Sequence, residues 1–206
     1  SATTDLTPFE RTADSGIPVV FFDKVPEGSG FPMVTMSDTE AARLAAEAIL
    51  RSGTRDVLAI FGDIGLSITR KRLSAFRDAF TMAGREGRLT IRHASSREEA
   101  RSLTLESLTG EGIRADCLFA MSDEILAGCM KAVQQSGLSI PQDISVIAIS
   151  TGFIPGLFEP EITYVQTDGV RLGRKSFEIL HRCFSKSPPV GDWSVDVRLV
   201  PGGSIP

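Results

Sequence analysis

Cysteine, histidine and tryptophan are scarce: the 206 residues hold three, two and one of them. Cys117, Cys129 and Cys183 lie far apart, in odd number and with no CxxC pair. That pattern excludes a disulfide framework and points to reduced, buried thiols in a cytoplasmic protein. His93 and His181 have no ligand spacing to another His or Cys, so no metal site is expected. No apolar run is long enough to span a bilayer, and no membrane partner is expected. Nor does a charged-then-apolar secretory signal open the chain, although with Ser1 rather than Met in first place that decides little. Charge of one sign is lacking too. Lys and Arg number 22 against 26 Asp and Glu, a net charge of −4, and the basic residues are scattered. Direct nucleic-acid binding through a basic surface is therefore not expected of this polypeptide.

Enzyme signatures are also missing. Gly28-Ser29-Gly30 and Gly110-Glu111-Gly112 lack the third glycine and the strand-to-helix context of a dinucleotide loop. There is no P-loop and no GxSxG elbow. Asp123-Glu124 falls at a helix start, where two acids complement the helix dipole. No catalytic residue and no cofactor are expected.

What is present is an ordinary globular composition, 42% hydrophobic and 23% charged, with strands and helices in regular alternation. Such alternation predicts βαβ units on a parallel sheet, an α/β fold. Ile17 to Phe22 is apolar throughout, as a strand covered on both faces would be. Ser37-Asp38-Thr39-Glu40 has capping-box spacing before a helix that stops near Gly53. Further strands are predicted at Val57 to Phe61, Leu89 to His93, Cys117 to Ala120, Ile144 to Ile149 and Thr163 to Gln166. Helices are expected at about Thr69 to Ala83, after Ser95 or Ser96, over Asp123 to Ser136, and over Val170 to Phe184 with Asp168 as cap. Val195, Val197 and Leu199 alternate as one half-exposed strand.

In open α/β sheets ligands bind outside the carboxyl ends of the strands. That rule selects Ser150, at the end of the fifth strand, and Ser122-Asp123, after the fourth, where Ser122 also suits a helix cap. Asp23, after the first strand, is either a turn residue or a ligand acceptor. Arg70, Lys71 and Arg72 open a helix, an unfavourable place for cations beside the helix dipole. For Arg70 and Lys71 a solvated basic patch and a functional role are equally open. Arg72 lies on the side near the preceding strand's end, placed for forked hydrogen bonds to hydroxyls, a carboxylate or a phosphate.

Several segments together resemble the effector-binding core of the LacI/GalR family of transcriptional regulators. They are Ile17 to Asp23, Ser37-Asp38, Arg70 to Phe76, Leu118 to Asp123, Gly137 to Ile147, Ile162 to Gln166 and Val197 to Val200. The resemblance implies a type I periplasmic-binding-protein-like fold: one doubly wound parallel-sheet lobe, residues 37–164 and 191–206, with a partial second lobe, residues 1–36 and 165–190. It also implies a small carbohydrate-like effector, a homodimer, and operator DNA bound only through a helix-turn-helix domain absent from this chain. A periplasmic solute-binding protein of a transporter shares the fold and is the alternative. By the same resemblance Arg72 holds effector hydroxyls, and Asp23 and Gln166 fall at the cleft or its hinge. Ser122 replaces the family's usual Asn, and Ser150 replaces the Asp of its sugar-binding members. Loss of that Asp leaves Arg72 with less negative charge nearby, from which an acidic or phosphorylated carbohydrate derivative is expected.

Overall fold

In the computed structural model, residues 5–24, 28–110, 114–185, 189 and 191–206 are described. Two sheets carry the architecture. The larger has six strands in the order β4 (Leu89–His93), β3 (Val57–Phe61), β5 (Cys117–Ala120), β6 (Ser145–Ser150), β7 (Thr163–Gln166) and β9 (Arg198–Val200). All pair in parallel except β9, which runs antiparallel to β7. Strands β3, β5 and β6 are buried along their whole length, which explains the unbroken apolar sequences of β3 and β5 and the apolar run Val146 to Ile149 between the two serines of β6. Helix α2 (Asp38–Ser52) packs against α3 (Ser67–Met82), and α4 (Arg97–Thr109) against α5 (Asp123–Ser136). From β3 the chain crosses to β4 at one edge, whereas from β5 it crosses the other way to β6. The topological switch point therefore lies between β3 and β5, and the carboxyl ends of the strands there are where open α/β sheets place a ligand crevice.

Four fully buried rings, Phe61, Phe76, Phe80 and Phe119, fix α3 on this sheet. Phe76 stands 4.4 Å from Phe119 and 5.7 Å from Phe61 between ring centroids. Since Phe76 is one turn beyond Arg72, this cluster sets where the arginine's side chain begins. On the other helix pair, Gly128 allows close approach. A Cβ there would lie 2.2 Å from the Arg97 carbonyl oxygen and 2.9 Å from Ala100 Cβ.

The smaller sheet is parallel, in the order β1 (Phe21–Phe22), β2 (Met33–Met36) and β8 (Asp192–Val195). Its core joins Val34, Met36 and Val195 to Leu172 and Ile179 of α6 (Gly169–Arg182). Helix α1 (Thr7–Asp14) adds an edge-to-face contact between Phe9 and Phe21.

Three sequence expectations change here. The first strand shrinks to Phe21–Phe22 and is not covered on both faces: Ile17 is 56% and Phe22 59% exposed. As a two-residue edge strand, β1 has a hydrogen-bonding neighbour on one side only. The alternation through Val195, Val197 and Leu199 belongs to two strands. Asp192–Val195 joins the small sheet, so only the tail beyond it lies with the large one, to which residues 191–206 were assigned. Val197 sits in the break and packs against both cores. Finally, Ser37 makes no capping hydrogen bond, and the two acids of that turn are used elsewhere: Asp38 on Arg72, Glu40 on Arg43. The caps at Ser96, Ser122 and Asp168 form as the sequence predicts.

Candidate functional site

Four strand ends meet at the switch point. β3 runs into Gly62-Asp63, β4 ends at His93, β5 runs into Met121-Ser122-Asp123, and β6 ends at Ser150 before Thr151-Gly152. Arg72 reaches this crevice from the second turn of α3. Its Nε donates to Asp38 Oδ1 at 2.9 Å, its Nη2 lies 2.8 Å from the same oxygen, and its Nη1 donates to the Met121 carbonyl at 2.9 Å. Both side chains are nearly sealed, 7% exposed for Arg72 and 6% for Asp38.

This geometry corrects one expectation about charge. Arg72 does not lack a negative partner, because Asp38 supplies one from the start of α2. Burial pushes the Asp38 carboxyl above its ordinary range against the pull of the Arg72 guanidinium; Lys71 also lowers it, and Asp23 raises it. Asp23 is thus within electrostatic reach of the pair, although it sits on the small sheet's side. It has φ of +63°, alone among described non-glycine residues in the left-handed region, and its amide donates to the Val34 carbonyl. Asp23 thus makes a bend directly after β1, in a left-handed backbone that Asp adopts more readily than most non-glycine residues.

Ser150 is buried and already engaged. Its hydroxyl donates to an Asp123 carboxylate oxygen in a short hydrogen bond and accepts from the Gly152 amide at 2.9 Å. The other Asp123 oxygen accepts from the Thr151 hydroxyl at 3.1 Å and from its amide at 3.3 Å. Ser122 caps α5, accepting from the Ile125 amide at 3.4 Å, and stands between Arg72's partner Met121 and Asp123. Gln166 is registered beside Ser150 across β6 and β7, but its side chain turns to Arg198, whose Nε donates to its Oε1 at 2.8 Å. It belongs to the crossover between the sheets rather than to the polar cluster.

Sequence reasoning chose Arg72, Ser122, Ser150, Asp23 and Gln166 but missed how Asp38, Asp123 and Thr151 are used. Asp38 reads as an ordinary first-turn acid, and nothing in the linear sequence ties it to a residue 34 positions on. Asp123 reads likewise, because complementing the dipole explains an acid there without any further role. Thr69, fully buried beside Gly62 and Met121, has a hydroxyl with no hydrogen-bond partner among the described residues.

A doubly wound sheet with a polar cluster at its switch point fits the protein-family match. Residues 37–205 match the family model described as a periplasmic binding protein-like domain. The chain belongs to that family. The periplasmic-binding-protein-like domain accounts for every strand of the larger sheet and for β8 of the smaller. Among curated proteins the chain is 26% identical over 171 residues to the HTH-type transcriptional repressor PurR of Vibrio campbellii, covering 81% of this chain and 50% of that protein. It is also 26% identical over 186 residues to the ribose operon repressor of Halalkalibacterium halodurans, covering 90% and 55%. The chain thus spans about half the length of the curated relatives it matches. Among solved structures, a LacI family transcriptional regulator from Enterococcus faecium with bound ribose superposes with a TM-score of 0.87 at 21% identity, covering 98% of this chain and 75% of that one. A dimeric Lac repressor with an 11-residue C-terminal deletion gives 0.85 at 22% identity, covering 97% and 72%. These two likenesses concern the fold alone.

Proposed function

We propose that this periplasmic-binding-protein-like domain is the effector-sensing part of a LacI-type transcriptional regulator, a cytoplasmic protein that works by allostery rather than chemistry. The observation that carries the reading is the polar cluster of Arg72, Asp38, Asp123 and Ser150 at the switch point, in a chain whose curated relatives are repressors. The transporter alternative shares the fold, and the repressors among the curated relatives favour the regulator reading. Arg72, Ser122 and Ser150 line or brace the effector site, Asp23 faces it from the small sheet, and Gln166 serves the hinge. The two lobes of this reading are the two sheets: β1, β2, α6 and β8 in one, β3 to β7 with β9 in the other. Ser37, Thr167 and Asp196 mark the crossings between them.

Closure of the lobes on a carbohydrate-like effector would change the geometry of a homodimer and hence operator affinity, through a DNA-binding domain outside this chain. Linkage makes the coupling reciprocal, so operator DNA would alter effector affinity by the same factor. Among the described residues no helix is long and apolar enough to cross a membrane. The direct test is operator binding by the protein expressed from the whole gene, with and without the sugar that binds this domain. A change in operator affinity supports the reading; sugar binding with no effect on DNA binding overturns the regulatory part of it.

A further inference from the structure

We infer that the open edge of β8, with the cationic flank of α6 beside it, is a docking groove for an extended segment of another protein that carries carboxylates at alternate positions.

Among the described residues β8 pairs only with β2, so its other side has no neighbouring strand. The amides of Met33 and Ser37 donate to the carbonyls of Gly191 and Val195. In a parallel ladder alternate residues face the partner strand, so Trp193 also turns its backbone to β2. Asp192 and Ser194 therefore turn their amides and carbonyls outward, and both residues are exposed. An edge of this kind is a template for strand addition. Main-chain hydrogen bonds hold the incoming segment, and its alternate side chains decide which segment is taken.

The charge beside this edge selects carboxylates. Helix α6 carries Arg171, Arg174, Lys175 and Arg182 against one acid, Glu178, in a chain whose net charge is −4. A groove of about 360 Å³ runs between the first three of these cations and Ser194-Val195-Asp196. Its cations are weakly committed. Arg174 makes no hydrogen bond or ion pair among the described residues. Arg171 stands 4.0 Å from Asp196 with both side chains exposed, and Lys175 meets Glu178 in a surface pair. Pairs of this sort contribute little and exchange readily. A second groove, of about 340 Å³, shares Arg171 and Asp196 and continues to Arg198. The Nε of Arg198 is bound to Gln166, while its two terminal nitrogens have no partner among the described residues.

Register and spacing agree with that selection. Trp193 and Val195 share a core with Leu172 and Ile179 of α6. Side chains of an added strand in register with those two residues therefore rise toward the same helix. Two such positions lie about 6.6 Å apart, and Arg171 and Lys175, one helical turn apart, are separated by about 6 Å along the axis. Carboxylates two residues apart thus meet successive cations. Nucleic acid fits less well, because Glu178 and Asp196 line the same groove and a phosphodiester chain cannot continue the ladder. A second copy of this chain fits less well too, since pairing two β8 edges would bring two cationic flanks together.

Fluorescence anisotropy on this chain at pH 7 and low salt tests the inference. The probe is a labelled peptide of about eight residues, glutamate alternating with threonine, long enough to cover the strand. Its controls are the same peptide with lysine for glutamate, the acidic peptide N-methylated at the amides that would face β8, and a single-stranded oligonucleotide of equal charge. The expected result is saturable binding of the acidic peptide, about tenfold or more tighter than any control, the worth of one charge-assisted contact. Arg171→Glu/Arg174→Glu should reverse the preference between the acidic and the lysine peptide. Ser194→Pro deletes one outward amide and leaves the ladder to β2 intact, at a place where edge strands accept proline. It should lose the acidic peptide, with the melting temperature recorded to show that it folds. The peptide controls need no variant, so refutation remains open even if Ser194→Pro does not fold. Equal binding of the N-methylated peptide or of the oligonucleotide overturns the inference, leaving a patch that reads charge alone. Self-association in sedimentation that Ser194→Pro abolishes gives the edge to a second copy and overturns it as well. So does the absence of binding by the acidic peptide at millimolar concentration.

Discussion

Replacing Asp38 by alanine strips the Arg72 guanidinium of its only charged partner among the described residues while leaving it in place. Both side chains are less than a tenth exposed, and the arginine's Nε and Nη2 both contact the carboxylate. Removing one member of a buried pair costs about 3–5 kcal/mol, because the survivor is an uncompensated charge that water reaches poorly. For a domain of this size about 1 kcal/mol moves the melting temperature by roughly 2–4 °C, so Asp38→Ala should melt roughly 6–20 °C below wild type. The apolar double variant Asp38→Leu/Arg72→Met removes both charges at once and should recover most of the loss, since a well-packed apolar pair commonly equals or exceeds a buried ion pair in stability. Chemical and thermal denaturation of the two singles and the double, read as a double-mutant cycle, measure this. A single-site loss under about 0.5 kcal/mol, or a double variant as unstable as the sum of its singles, would refute the description of Asp38 and Arg72 as a sealed, mutually dependent pair.

Four further consequences follow, the first from the same pair and the rest from other parts of the chain. Burial raises the folded-state pKa of Asp38 above the unfolded 3.8. The folded protein therefore holds this proton where the unfolded chain has lost it, and the stability difference between wild type and Asp38→Asn should shrink as pH rises from 3.8 through the folded value. Ser204→Ala deletes a buried hydroxyl that donates to the Val146 carbonyl at 2.5 Å and accepts from the Thr163 amide at 2.7 Å. Two orphaned backbone groups should cost about 1–3 kcal/mol in urea unfolding. Gly128→Ala drives a methyl group into the Arg97 carbonyl across the α4–α5 crossing, and overpacking of this kind should cost about 1–3 kcal/mol. Burial pushes the Cys117 thiol up to about 12 and Cys129 up to about 11. At pH 8 a thiol reagent should therefore label only the half-buried Cys183 in the native protein, and all three cysteines in denaturant.

The central strands of the larger sheet were legible in the sequence because they are covered on both faces. Val57 to Phe61 and Cys117 to Ala120 are apolar at every position, and their helices carry a stripe of Ala, Leu and Phe at helical spacing. The small sheet was less legible for a related reason: with three strands it leaves Phe22 exposed, so an apolar residue there did not report burial. The break at Asp196-Val197 escaped because alternation runs through it unbroken, while the partner strand changes from β2 to β7. At the site, the rule of carboxyl strand ends found Ser122-Asp123 and Ser150, and placement beside the preceding strand's end found Arg72, although α3 begins at Ser67 and puts Arg72 in its second turn rather than at its opening. The pairings were hidden, since Asp38 and Asp123 each have a sufficient local explanation as first-turn acids. Only the tertiary structure brings Asp38 to Arg72, and Asp123 to Ser150 and Thr151.

The central claim is that the crevice between β3, β5 and β6 holds a small ligand. Amide chemical-shift mapping on the isotopically labelled chain, titrated with millimolar ribose and glucose, tests it most directly. The account predicts saturable shifts confined to residues 62–63, 71–73, 121–124 and 150–152, abolished in a folded Arg72→Met. Shifts centred on any other surface, or none at all across the titration, would contradict it.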